Sequence, residues 1–160
     1  MPELKEATRR VAAAANALGL DVEIVVHAQS TRTAEEAAAA CGCSVGQIVK
    51  SLVFRGATSG KPVLLLVSGV NRVDETAVAA ALGEALTRPD ARFVREVTGF
   101  AIGGIPPFGH ATPLSTFIDE DLLGYDAVWA AAGTPDSVFR VSPGALAEKT
   151  GATRLKVTGG

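Results

Sequence analysis

Cysteine is nearly missing from this chain: Cys41 and Cys43 are the only two among 160 residues. Separated by one glycine at the end of an alanine-rich stretch, they lack the second ligand pair of a structural zinc site and cannot supply a disulfide framework. No metal and no cofactor are expected, and at least one of the two thiols reads as a small buried side chain. Long apolar runs are missing too. No stretch reaches the length of a membrane span, and Glu3 and Glu6 stand where a secretory signal would be basic and then apolar. A cytoplasmic location with no membrane partner is the expectation. Basic charge is not in excess: 15 Lys and Arg against 17 Asp and Glu leave a net charge of −2. A broad nucleic-acid-binding face is thereby excluded, so any nucleic-acid contact must be local. The signatures of several common chemistries are also missing, namely the Gly-x-x-x-x-Gly-Lys-Ser/Thr phosphate loop, the Gly-x-Ser-x-Gly elbow and the His-Glu-x-x-His metal helix. Only His27 and His110 are available as imidazole bases.

The residues that are present describe a globule. A hydrophobic fraction of 48% with 20% charged residues in one chain of this length predicts a single domain, residues 1–160, with a core of its own. No repeat or linker divides it. Apolar spacing predicts a helix over residues 3–18 ended by Gly19, a strand over 21–27, and a helix over 37–41 behind the capping box Thr33 to Glu36. A hairpin follows, with strands at 48–55 and 62–68. Asp74 caps a helix predicted to run through Leu86; short strands are expected at 115–118, 127–132 and 137–141, then a helix from Ser142 and Pro143 to Gly151 and a strand at 154–157. Strands outnumber helices without steady alternation. The fold class expected is mixed α/β, a curved mixed sheet with helices packed around it.

Two features carry chemistry. The stretch from Thr98 to His110 holds Gly99, Gly103, Gly104, Gly109, Pro106 and Pro107, which suit neither a helix interior nor a central strand. It reads either as a rigid connector or as a shaped loop that points several N–H groups into one concavity, held to the core by Phe100, Ile102, Ile105 and Phe108. His110 at its end serves either as a base or as a hydrogen-bonding brace for the loop. In the strand 48–55, period-two geometry puts Lys50 on one face with Ile48, Leu52 and Phe54, and Ser51 on the other. Lys50 on an apolar face must either snorkel to an edge or present its ammonium to a pocket.

Four blocks, in this order and spacing, resemble the YbaK/EbsC family, relatives of the editing domain of bacterial prolyl-tRNA synthetase. They are Thr31 to Ala38, Gln47 to Phe54, Thr98 to His110 and Ala132 to Phe139. The resemblance implies a small α/β domain with a barrel-like mixed sheet, acting as a free-standing deacylase on mischarged aminoacyl-tRNA. It maps the family lysine onto Lys50 and the Gly-x-x-x-Pro loop onto Gly103 to Pro107, so that Lys50, Gly103 and Gly104 are the candidate catalytic residues. Thr31, Ser51, Ile105, Pro106, Pro107, His110, Gly133 and Asp136 are the candidate substrate-binding residues. The implied partners are the acceptor end of a mischarged tRNA and an aminoacyl-tRNA synthetase, with no metal. Attack is expected from water assisted by the tRNA's own hydroxyl, or from a substrate thiol. Pro106 and Ser51 depart from residues common in relatives, as does an alanine at position 131 or 132. A pocket with fewer hydroxyls is expected to select small amino acids by size. Two other readings fit the same residues: a binding module that does not hydrolyse, and a structural domain that works beside a synthetase.

Overall fold

The structure, a computed structural model, describes residues 4–158. Its centre is β3 (Pro62–Ser68), in which Leu64, Leu65, Leu66 and Val67 are all fully buried. A continuous apolar run of this kind belongs to a strand covered on both faces. β2 (Val49–Gly56) pairs antiparallel with β3 from Val49 opposite Ser68 to Arg55 opposite Pro62, which is the expected hairpin. β5 (Ser115–Asp119) runs parallel on the other side of β3, and β8 (Thr153–Leu155) runs parallel to β5. A two-residue β4 (Leu86–Thr87) closes one end of β2 and completes a five-stranded sheet in the order β4-β2-β3-β5-β8.

A second, antiparallel sheet has the order β1-β7-β6, built from β1 (Glu23–Val26), β7 (Ser137–Val141) and β6 (Val128–Ala131). The single curved sheet expected from sequence is therefore two sheets, joined at one bridge between Ile48 and Trp129. They do not close into a barrel. One core fills the space between them, with Val49, Leu64, Leu66 and Ile118 facing Val128, Ala130, Phe139 and Val141. Val11 and Ala15 of α1 (Glu6–Leu18) and Leu146 of α5 (Pro143–Thr150) join it. The opposite face of the larger sheet carries a second core of Phe54, Val63, Leu65 and Val67, covered by Val78 of α3 (Glu75–Leu82).

Helix boundaries follow local chemistry. α2 (Ala34–Cys41) begins at the predicted capping box, in which the Thr33 hydroxyl accepts the Glu36 N–H and the Glu36 carboxylate accepts the Thr33 N–H. The helix expected to run through Leu86 stops at Leu82, because Gly83 takes a left-handed conformation and ends it. Sequence reading missed α4 (Ala91–Thr98), which is capped by Asp90 accepting the Phe93 N–H at 2.9 Å. The first helix begins at Glu6; residue 3, where it was expected to start, lies outside the described residues.

The loop after α4 is clamped from both ends. Arg10 of α1 donates to the Gly99 carbonyl at 3.1 Å and lies 4.4 Å over the Phe100 ring. Further on, the Gly133 N–H donates to the Gly104 carbonyl at 2.9 Å. A Cβ on Gly104 would sit 2.6 Å from the Gly133 carbonyl carbon and oxygen, and one on Gly133 would sit 2.8 Å from the Ala7 carbonyl. Three backbones thus stack: the loop, the turn between β6 and β7, and the first turn of α1. Gly104→Ala and Gly133→Ala should each destabilise the protein by about 1–3 kcal/mol or more, because rigid backbone must move to admit the methyl. Chemical denaturation checks this; unchanged midpoints for both variants would contradict the stack.

Candidate active site

The stack leaves Gly103 facing the edge of β2. Gly103 has φ +100 and is exposed, whereas residues 104 to 108 are all buried. The Gly104 N–H is taken by the Ala101 carbonyl at 3.1 Å, while the Gly103 N–H has no acceptor among the described residues. Across from it, Lys50 is half-buried and donates to the Asn71 carbonyl at 2.6 Å. Among the described residues Lys50 enters no ion pair, and it lines a cavity rather than standing free on the surface. Burial, and then the nearby Arg72 charge, push its pKa below the usual lysine value, while Asp119 and Glu35 oppose the shift.

Asn71 is itself fixed. Its amide donates to Asp119 Oδ2 at 2.8 Å and to Asp121 Oδ2 at 2.7 Å. Asp119 is almost fully buried at the end of β5, where it also accepts the Ser68 N–H at 3.0 Å and the Asp121 N–H at 3.0 Å. A buried carboxylate satisfied by fixed donors locks the turn after β3 and, through it, the oxygen that aims the ammonium.

Lys50 and Gly103 meet in a cavity of about 510 Å³ between the two sheets and the start of α2. Its apolar wall comes from Val49, Ile48, Trp129, Ala130, Ala131 and Val138. Its polar floor comes from Thr134 and Ser137, which sequence reading did not single out. The Thr134 hydroxyl donates to Asp136 Oδ1 at 2.6 Å and the Ser137 hydroxyl donates to the Ala132 carbonyl at 3.0 Å, so these donors are spent within the protein. Thr31 lines the same cavity, with its N–H on the Pro135 carbonyl at 3.1 Å.

The other candidate residues are distributed differently. Ser51 and Ile105 line a second cavity, of about 280 Å³, on the other side of Lys50 and Ile102. Pro107 and His110 line a third, behind the loop and against α1 and α5. Gly104, Pro106 and Gly133 are buried and line none of the three; Asp136 acts from behind, holding Thr134. His110 Nε2 lies 2.7 Å from the Pro106 carbonyl, which can only accept, so the ring donates from Nε2. This contact is the one a brace for the loop would make. Cys41 and Cys43 are half-buried beside Ala37, Ala38 and Ile48, and burial raises the Cys41 thiol to about 11. Among the described residues no three His, Cys, Asp or Glu side chains cluster as metal ligands.

A cavity that joins a half-buried ammonium to a free backbone N–H, with no cysteine or imidazole in its lining, is able to act on a bound group by positioning and fixed charge. Comparison with known proteins gives the family. Residues 28–149 match the aminoacyl-tRNA editing domain, and the chain belongs to that family. It is 34% identical over 120 residues to the uncharacterized protein YwhH of Bacillus subtilis (strain 168), a match covering 74% of this chain and 75% of that protein. It is 32% identical over 112 residues to the proline–tRNA ligase of Limosilactobacillus fermentum (strain NBRC 3956 / LMG 18251), covering 67% of this chain and 20% of the ligase. Among solved structures, a protein proposed as a trans-editing enzyme for prolyl tRNA synthetase superposes with a TM-score of 0.93 at 49% identity. That match covers 99% of this chain and 100% of the other. The hypothetical protein APE2540 superposes with a TM-score of 0.86 at 29% identity, covering 92% and 98%.

Burial holds the His110 pKa below its ordinary value of 6.5, against the opposing effect of the Pro106 carbonyl. The unfolded chain therefore binds a proton at a higher pH than the folded one, and stability falls as the pH drops through about 6.5. Melting temperatures followed from neutral to mildly acidic pH should show this decline, and His110→Gln should remove that part of it. An identical pH dependence in the variant would contradict the brace.

Proposed function

We propose that this chain is a free-standing deacylase that hydrolyses the ester of a mischarged aminoacyl-tRNA carrying a small amino acid, without a metal. The observation that carries this reading is the convergence of the Lys50 ammonium and the unoccupied Gly103 N–H on one cavity. An aminoacyl ester develops negative charge on its carbonyl oxygen when water attacks. A positive charge and an oriented N–H fixed beforehand stabilise that oxygen without reorganising. His110 lies in a separate cavity behind the loop, so the proton is handled by the substrate: the free hydroxyl of its terminal ribose takes the proton of the attacking water and passes its own to the neighbouring ester oxygen as the acyl C–O bond breaks. Aminoacyl esters are already activated, so positioning of this kind is sufficient help.

The amino-acid side chain would enter between Trp129, Ala130 and Val138. Because the Thr134 and Ser137 donors are spent, size governs the choice rather than hydrogen bonding to a substrate hydroxyl. One methylene is worth about 1–3 kcal/mol in such a pocket, so neighbouring small amino acids should overlap as substrates. With a net charge of −2, contact with tRNA is confined to the acceptor end, and a synthetase partner in the cytoplasm would raise the local concentration of substrate.

A panel of mischarged tRNAs assayed for ester hydrolysis tests the reading. Turnover of small aminoacyl esters is expected, and it should survive EDTA. Lys50→Ala should fold normally and lose activity by about 10²–10³-fold, the magnitude typical of one electrostatic donor. Replacing the terminal ribose's free hydroxyl with hydrogen should slow turnover strongly with little change in binding. Binding without turnover across the whole panel would instead support a module that recognises aminoacyl ends and does not hydrolyse them.

A further inference from the structure

The chain's two thiols stand together at the end of α2, and neither lines the cavity that holds Lys50. Gly42 between them is left-handed at φ +69, which ends the helix and returns the Cys43 N–H to the Ala38 carbonyl at 3.0 Å. A Cβ at Gly42 would touch nothing within 4 Å, so this glycine supplies a backbone conformation and not room. Cα atoms two residues apart lie about 5–7 Å from each other, which a disulfide can span. The side chains also meet, since the two thiols hydrogen-bond to one another. Cys41 Sγ lies in addition 3.8 Å from His27 Nε2. Both thiols are half-buried, whereas Ala39, Ala40, Gly42 and Ser44 around them are exposed, so a small reagent reaches the pair from solvent.

The three groups have separable roles. Burial raises both thiols above the ordinary cysteine value, and Cys41 reaches about 11. The neighbouring Cys43 adds to the rise at Cys41, while the hydrogen bond from Cys41 opposes it at Cys43. Cys43 is therefore the sulfur that gives up its proton first, and Cys41, with an imidazole beside it, is the one that follows. On their inner side the thiols pack with Ala34, Ala37, Ile48 and Trp129, and those same four residues line the larger cavity. Trp129 is the chain's only tryptophan.

We propose that Cys41 and Cys43 form a reversible dithiol–disulfide couple, whose oxidation by a low-molecular-weight disulfide shifts the end of α2 and with it the Trp129 wall of the larger cavity. The Cys43 thiolate attacks one sulfur of the oxidant and releases the first small thiolate, which takes up the Cys43 proton. Cys41 then attacks the Cys43 sulfur of the mixed disulfide, and its proton passes through His27 Nε2 to the second small thiolate as that leaves. Two protein thiols are thereby oxidised by two electrons, and the small disulfide is reduced to two thiols. A bond closed across so short a turn strains the helix cap, and strained disulfides are the readily reduced, regulatory ones. The couple is independent of the reaction carried out in the cavity.

Equilibration of the full chain with oxidised and reduced glutathione at graded ratios, followed by acid quenching and measurement of the intact mass, tests the couple. The expected product is one species lighter by two hydrogens, formed in a single transition in which both thiols disappear together. Trp129 emission should shift with it, and dithiothreitol should reverse both changes. Cys41→Ala should stop at a mixed disulfide with one glutathione on Cys43, and Cys43→Ala should react severalfold more slowly. His27→Gln should slow closure of the ring and leave the first attack unchanged. Thiols that stay reduced at every ratio, glutathione retained on the wild-type chain without ring closure, or bonds between chains would overturn the couple. Ring closure with an unmoved Trp129 emission would overturn its link to the cavity.

Discussion

The contact on which the site depends is a backbone laid directly on a backbone. Gly104 rests against Gly133 with no room for a methyl group, Gly133 rests in turn against Ala7, and one hydrogen bond of 2.9 Å ties the first pair together. Phe100, Ile105 and Phe108 anchor the loop in the core between the sheets, whereas Ile102, expected beside them, is exposed. The glycine stack fixes the loop's backbone among those anchors, where Gly103 shares a cavity with Lys50. His110 from behind and Arg10 from the side keep the loop from relaxing. A loop that is fixed before substrate arrives does not spend binding energy on ordering itself.

Lys50 is held on the other side by a comparable economy of charge. Its ammonium meets a neutral carbonyl, and the carboxylate that fixes that carbonyl, Asp119, lies one residue further back and is satisfied by N–H donors. A carboxylate in direct contact would have neutralised the ammonium and left little field for a substrate oxygen. The arrangement keeps the positive charge available in a partly desolvated place, where it acts more strongly than it would in water. A net charge of −2 is compatible with a local nucleic-acid contact, since Arg32, Lys50 and Arg72 line the two cavities that meet at Lys50.

Much of this was legible in the sequence. The hairpin, the capping box and the position of Lys50 on its strand follow from period-two spacing and local chemistry, and the glycine and proline run announced a shaped loop. What escaped was set by distant contacts. α4 is eight residues long and contains Phe93, Val94, Val97 and Thr98, which favour helix weakly; the Asp90 cap and tertiary packing decide its conformation. The floor of the site comes from β6 and β7, and nothing in the spacing of Trp129, Thr134 or Ser137 says that their sheet abuts β2. The division into two sheets turns on a single bridge. Gly103 and Gly104 are indistinguishable as letters, yet one faces the cavity with its N–H free and the other is consumed by packing.

The account's central claim is that Lys50 and Gly103 bracket the reacting ester at the wall between two cavities. A crystal structure with a non-hydrolysable analogue, in which an amide joins a small amino acid to the ribose of adenosine, tests it most directly. The account predicts the amide carbonyl oxygen within hydrogen-bond reach of both Lys50 Nζ and the Gly103 N–H, with the amino-acid side chain against Trp129 and Ala130. An analogue seated with its carbonyl away from both groups, or with its side chain in the cavity of Pro107 and His110, would contradict it.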